Sequence, residues 1–277
     1  MAPRRAAATF ANVIPRRFVI LAVLLGSACA LSAPPADSTL TAATDDLDAS
    51  AQRELTAAHA APDDANAQVA AAMRLFQAAD LRLQRATVAW LDAHRDADRA
   101  AVLAADDQLG DDVRRDVVSL CTEGLACAER AAASRSDDVA ARLHVALHVS
   151  LLAWANGPAR SLVAGYGGRL VKEVDAAIAL DPAFDGGAPL RLAGRFRSKA
   201  PWPYGDLAAA TQDLTRAVEI ASVPVNHLFL GDALFAKKDV AAAEAQWRLA
   251  VQARADESTK WSADLLRELA RRRLAAK

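Results

Sequence analysis

The chain has little that would build a sheet and little that would attract a polyanion. Aromatics make up 5% of its 277 residues, with only two tyrosines, and the formal charge is −1 at pH 7. Runs of β-branched residues are missing, while alanine dominates an apolar fraction of 53%. Alanine is the best helix former, so the composition points to an all-α fold. With no large basic field, nucleic acid is not an expected partner. The sequence holds no nucleophile elbow, no Cys–His arrangement with positional support and no suggestive carboxylate pair, so no enzyme is expected and no cofactor is implied. Asp-rich stretches at 96–98 and 105–112 lack the Gly and Glu of a calcium loop. His144 and His148 have the i, i+4 spacing a metal can use. With no Glu between them and no third ligand evident, they read as a core or surface pair.

One long apolar run, Phe18–Ala33, follows Arg4, Arg5, Arg16 and Arg17. It falls short of the ~20 residues of a membrane span and reads as an export signal, residues 1–28. It leads through Gly26, Ser27 and Ala28 into Cys29. This resembles a bacterial lipoprotein box, with Gly26 where Leu is usual, and the resemblance implies that Cys29 carries a lipid anchor. The other reading is a secretory signal cut after Ala28 or Ala30. Either way the mature chain is exported, and an anchored form belongs on the periplasmic side of the envelope, the outer membrane favoured over the inner. Cys121 and Cys127 then occupy an oxidising compartment. Six residues apart on one helix, their Cα atoms would stand ~9 Å apart, beyond disulfide reach, so they read as small buried apolar residues. Residues 29–50, rich in Pro, Ser, Thr and Asp, read as a flexible tether.

The body, residues 51–277, reads as a single domain of stacked antiparallel helix pairs. A short helix over 51–60 stops near Pro62. Asp63–Asp64 cap a helix from Ala65 to Ala93. Asp96–Leu109, Val113–Ala133 and Val139–Trp154 follow. In the stretch from Pro224 to Ala255, Ala243, Trp247 and Ala250 share one helical face opposite a helix bearing Gly231. Leu170, Val174 and Ala177 repeat that spacing, as do Ala210, Leu214 and Ala217, and Gly124, Ala128 and Ala131. This pattern resembles the tetratricopeptide repeat, whose period is about 34 residues. The closing alanines, Ala131, Ala177, Ala217 and Ala250, lie 46, 40 and 33 residues apart, so the array is degenerate and carries loop insertions. Gly165–Gly168 lacks the strand and the Lys-Ser/Thr of a phosphate loop. Trp202 and Tyr204, in the loop with Pro201, Pro203 and Gly205, are either a flap packed on the array or part of a ligand site. The last helix, Ser262–Ala275, reads as a cap whose Arg271–Arg273 complement the helix dipole.

The string LDPAFDGGAPLRLAGRFRSKAPWPYGD, followed by NHLFLGDAL, resembles the T component associated with TRAP-type solute transporters. That resemblance implies a non-enzymatic periplasmic accessory that associates with a solute-binding protein and binds an apolar or anionic ligand. A general envelope scaffold, for assembly or secretion, is the alternative, and self-association is left open. The first helix of each pair would line the concave face. This makes Arg191, Arg195, Asp232, Phe235 and Trp202 the candidate binding residues, with two arginines able to hold an anion or else to pair with Asp232 or Asp181.

Overall fold

Alanine and leucine at helical spacing produce helices throughout. A computed structural model of the chain describes residues 38–277, with side chains from Asp46 onward. Cys29 and the expected export signal lie outside the described residues. Among those described there are eleven α-helices and no strand: α1 Ser38–Ala60, α2 Ala65–Ala93, α3 Arg99–Leu103, α4 Asp111–Ser134, α5 Val139–Val163, α6 Tyr166–Leu180, α7 Phe184–Lys199, α8 Leu207–Ile220, α9 Pro224–Ala236, α10 Val240–Gln252 and α11 Ala263–Ala275. A 3-10 turn, Ala105–Gln108, follows α3. No described helix is long and apolar enough to cross a membrane.

Caps set several of the boundaries. Asp64 accepts from the N–H groups of Asn66 and Ala67 and starts α2, while Asp138, Asp206 and Asp239 do the same for α5, α8 and α10. Other boundaries differ from the sequence reading. The helix expected over 51–60 begins at Ser38, so residues 38–50 of the expected tether are helical. The reason is a face of apolar residues on α1: Leu47 meets Leu81 and Leu265, and Ala51 meets Leu75 and Ala78. Arg82 adds a fork-to-fork pair with Asp48 at 2.8 and 2.6 Å. The segment expected over Asp96–Leu109 is broken into α3 and the 3-10 turn. The segment expected to stop at Trp154 runs on to Val163, bending at Gly157, where φ is +75° ahead of Pro158.

Helices pack in adjacent pairs, α2 with α4, α5 with α6, α7 with α8 and α9 with α10. The first members line up beside one another, α2 on α5, α5 on α7, α7 on α9 and α9 on α11. The last helix is more than a cap, because α11 also packs on α2. The inner layer is therefore a closed ring of five helices. Arg191 meets Asn226, and one turn on Arg195 meets Asp232, so α7 and α9 run in parallel. Leu265 meets Leu81, and Arg272 meets Asp92, so α11 and α2 do too.

Close approach within the pairs depends on glycine. A Cβ on Gly231 would sit 2.4 Å from Trp247 Nε1 and 3.1 Å from the Ala243 carbonyl oxygen. Trp247 is fully buried between α9 and the ring's seam, among Leu228, Ala243, Ala250, Leu266 and Leu269. Cys121 and Cys127 are free thiols and buried, and desolvation raises both pKa values.

Candidate functional site

The ring's interior is polar. Asp80 on α2, Arg191 and Arg195 on α7, Asp232 on α9 and Arg273 on α11 all face into it, and their charges govern one another. Burial pushes the Asp80 carboxyl up to about 6, against the hydrogen bond from Gln84 and the nearby Arg191 and Arg195. Burial likewise presses the Arg191 pKa below its usual value, with Asp185, Asp256 and Asp80 opposing the shift. Arg191 Nη1 donates to Asn226 Oδ1 at 3.0 Å, and Asn226 Nδ2 donates to the carbonyls of Gly186, Ala217 and Ala221. Arg191 is thus tied to the start of α9 and stands one turn deeper than the other candidates.

Asp232 is the hub. Its Oδ1 accepts from Arg273 Nε at 2.6 Å and Trp247 Nε1 at 3.1 Å; its Oδ2 accepts from Arg273 Nη2 at 3.0 Å and Arg195 Nη1 at 2.9 Å. Four donors fill the acceptor sites of one carboxylate. Burial alone would raise the Asp232 pKa, but Arg273 and Arg195 carry it below the usual range. Asp232 is therefore spent on holding the ring together and on aiming Arg195.

A cavity of about 330 Å³ opens beside this hub, where α7 and α9 end. Arg195, Ser198 and Lys199 supply one wall, and Asp232, Phe235 and Ala236 another. The third wall is α3 and its 3-10 turn, through Leu103, Ala104 and Asp107. Phe235 stacks at a tilt on Trp247, 5.9 Å between centroids, and Arg195 lies 4.5 Å over the Phe229 ring. The site pairs cationic donors with an apolar floor, which suits an anionic group attached to an apolar body.

Of the residues singled out from sequence, Arg195, Asp232 and Phe235 come together here, with Arg191 in the same interior. Trp202 does not join them. It stands 89% exposed on the α7–α8 loop, so it is not a packed flap, and it lies outside the residues that line the cavity. Its neighbour Tyr204 is the residue that packs, over Gly167 and at 5.8 Å from the Phe196 ring.

Three residues of the site were not singled out: Lys199, Asp106 and Arg273. Lys199 Nζ donates to Asp106 Oδ1 at 3.1 Å and to the Leu103 carbonyl at 3.2 Å, across more than ninety residues of chain. No local pattern carries such a contact. Arg273 is different. It is 5% exposed and pairs with Asp232 inside the ring, while Arg271 and Arg272 pair with Glu268, and Arg272 with Asp92 as well. Its spacing from Leu266 and Leu269 places it on their buried face, and that signal was present in the sequence. No protein-family model matches this chain, and no curated protein does.

His144 and His148 are core residues. His148 Nε2 donates to the Ala72 carbonyl at 3.0 Å, and its Nδ1 is buried with no partner. Desolvation, then neighbouring His144, lowers the His148 pKa to about 3. No cluster of metal-ligating side chains occurs among the described residues.

Proposed function

We propose that the chain is a non-enzymatic binding module on the periplasmic side of the bacterial envelope, built on degenerate tetratricopeptide-like pairs. It serves as an accessory to TRAP-type solute uptake and associates with the solute-binding protein. The observation that carries this reading is the inner-face cavity, where Arg195 and Lys199 stand over Leu103, Ala104 and Phe235. Stacked helix pairs bind partners through their first helices, and here the ends of two of them, α7 and α9, line the cavity. The ordered Asp-Pro, Gly-Gly, Leu-x-Gly-Arg and Lys-Ala-Pro elements from Asp181 to Pro201 add support.

The test is capture of partners from a periplasmic extract by the tagged mature chain. A solute-binding protein should co-purify, and Arg195→Ala should reduce its recovery more than it lowers the melting temperature, since Asp232 keeps Arg273. Recovery of outer-membrane assembly proteins instead would assign the chain to the envelope-scaffold class.

A further inference from the structure

The mouth cavity already has a carboxylate at its edge. Asp106 accepts from Lys199 Nζ at 3.1 and 3.3 Å and stands 3.8 Å from Arg195 Nη2. Its backbone is fixed, because Val102 and Ala105 before it are buried in the core with Leu91 and Trp247, and Leu109 after it is buried too. The Asp106 side chain itself keeps 22% of its surface in solvent. The carboxylate can therefore turn out to water without moving α3.

Charge balance constrains what could replace it. Around the cavity Arg195, Lys199, Arg273 and Arg114 face Asp232, Asp106 and Asp107. Burial and then Asp106 lift the Asp107 pKa, with Lys199, Arg114 and Arg195 opposing the shift. Lys199 and Arg195 already face Asp106, so an anion added beside it would meet the repulsion of Asp106 and Asp107, and an anion exchanged for Asp106 would meet less. Asp232 cannot be the group displaced, since Arg273 and Trp247 bind it from the far side. The vacated position lies between a lysine and an arginine, with Leu103, Ala104, Phe235 and Ala236 beyond it. A cavity of about 330 Å³ holds ~10 non-hydrogen atoms at the ~30 Å³ each that water takes in the liquid.

We propose that this cavity binds a monocarboxylate with a short aliphatic tail, and that Asp106 is a built-in competitor holding Lys199 and Arg195 until that ligand arrives. The proposal rests on reading the chain as a ligand-binding module and names the ligand class of that same site. No covalent step is involved; one carboxylate replaces another on the same two cations.

Calorimetric titration of the purified full chain with hexanoate and octanoate, and with 1-hexanol as the uncharged control, tests it. Both carboxylates should bind, octanoate the tighter, and the alcohol should not. Asp106→Ala should tighten octanoate binding by about tenfold, the effect of removing one charge-assisted competitor. Asp106→Asn, which keeps the shape and drops the charge, should do nearly the same. Lys199→Met should weaken binding about tenfold with the melting temperature within a few degrees of wild type. Unchanged or weaker binding in both Asp106 variants would overturn the proposal, as would alcohol binding equal to hexanoate or no carboxylate binding at all. Partner capture reads independently: a chain that captures the solute-binding protein but takes no carboxylate overturns only this assignment, and the converse overturns only the transport role.

Discussion

Two helix contacts in this molecule solve the same steric problem with opposite polar outcomes. In the α9–α10 pair, Gly231 admits the Trp247 ring, and the indole N–H finds Asp232 at 3.1 Å. In the α4–α5 contact, Gly124 admits the His148 ring, where a Cβ would sit 2.2 Å from Cε1. There one ring nitrogen finds the Ala72 carbonyl and the other finds nothing. The first contact feeds a saturated network joining α7, α9, α10 and α11; the second leaves an orphan lone pair. Buried polar groups stabilise when every member is satisfied and are a liability when one is not. The two regions should accordingly respond to substitution in different ways.

The largest difference is expected on removing the hub. Asp232→Ala leaves Arg273 as a buried uncompensated charge and takes the nearer carboxylate from Arg195, and should cost about 3–5 kcal/mol in urea unfolding. Trp247→Ala, which empties the space beside Gly231, should cost a similar ~3–5 kcal/mol. A value under ~1 kcal/mol for either would mean the seam is open in solution.

Next come the glycines. Gly231→Ala meets both the Trp247 ring and the Ala243 carbonyl oxygen, so backbone must move. Gly124→Ala meets only the His148 ring. Each should lose ~1–3 kcal/mol, with Gly231→Ala the worse because a ring can shift more readily than a helix backbone. Equal losses would erase the distinction.

The smallest effect at neutral pH should come from His148→Leu, which removes the orphan and stays within ~1 kcal/mol of wild type. Its signature is in acid. The folded-state pKa of His148 lies near 3, below the 6.5 of the free group, so the unfolded chain takes the proton first. The stability contributed by the neutral ring is complete above pH 6.5 and is lost as pH falls toward 3. At ~1.4 kcal/mol per pKa unit this amounts to several kcal/mol. Asp80 works in the opposite sense: its carboxyl is raised from 3.8 to about 6, so its contribution is greatest in acid and is lost as pH rises through that window. Subtracting the His148→Leu profile from that of wild type isolates the histidine. A flat difference between pH 6.5 and 4 would show that His148 is not buried neutral.

Much of the helical frame was legible in the sequence because its signals are local. The α2 bounds follow from the Asp64 cap and an apolar stripe, and Ala243, Trp247 and Ala250 are buried on the face their spacing gave them. Local signals also misled. The Asp- and Thr-rich start of α1 conceals a face set by Leu47 and Ala51, since helical order there is imposed by α2 and α11. The site was half legible. Arg195 and Asp232 follow from repeat geometry, whereas Lys199 and Asp106 meet only because the ring closes and brings α3 over the ends of α7 and α9. Closure itself depends on contacts between α11 and α2, such as Arg272 with Asp92, 180 residues apart, and no periodicity reports them.

The most direct measurement is a double-mutant cycle on Asp232 and Arg273, with Asp232→Ala, Arg273→Met and the pair unfolded in urea. If the buried ion pair latches α11 to the inside of the ring, the double variant should be more stable than the summed single losses imply, with a coupling of ~2–3 kcal/mol. Strictly additive losses would contradict the latch, and with it the closed ring that holds Arg195 at the cavity.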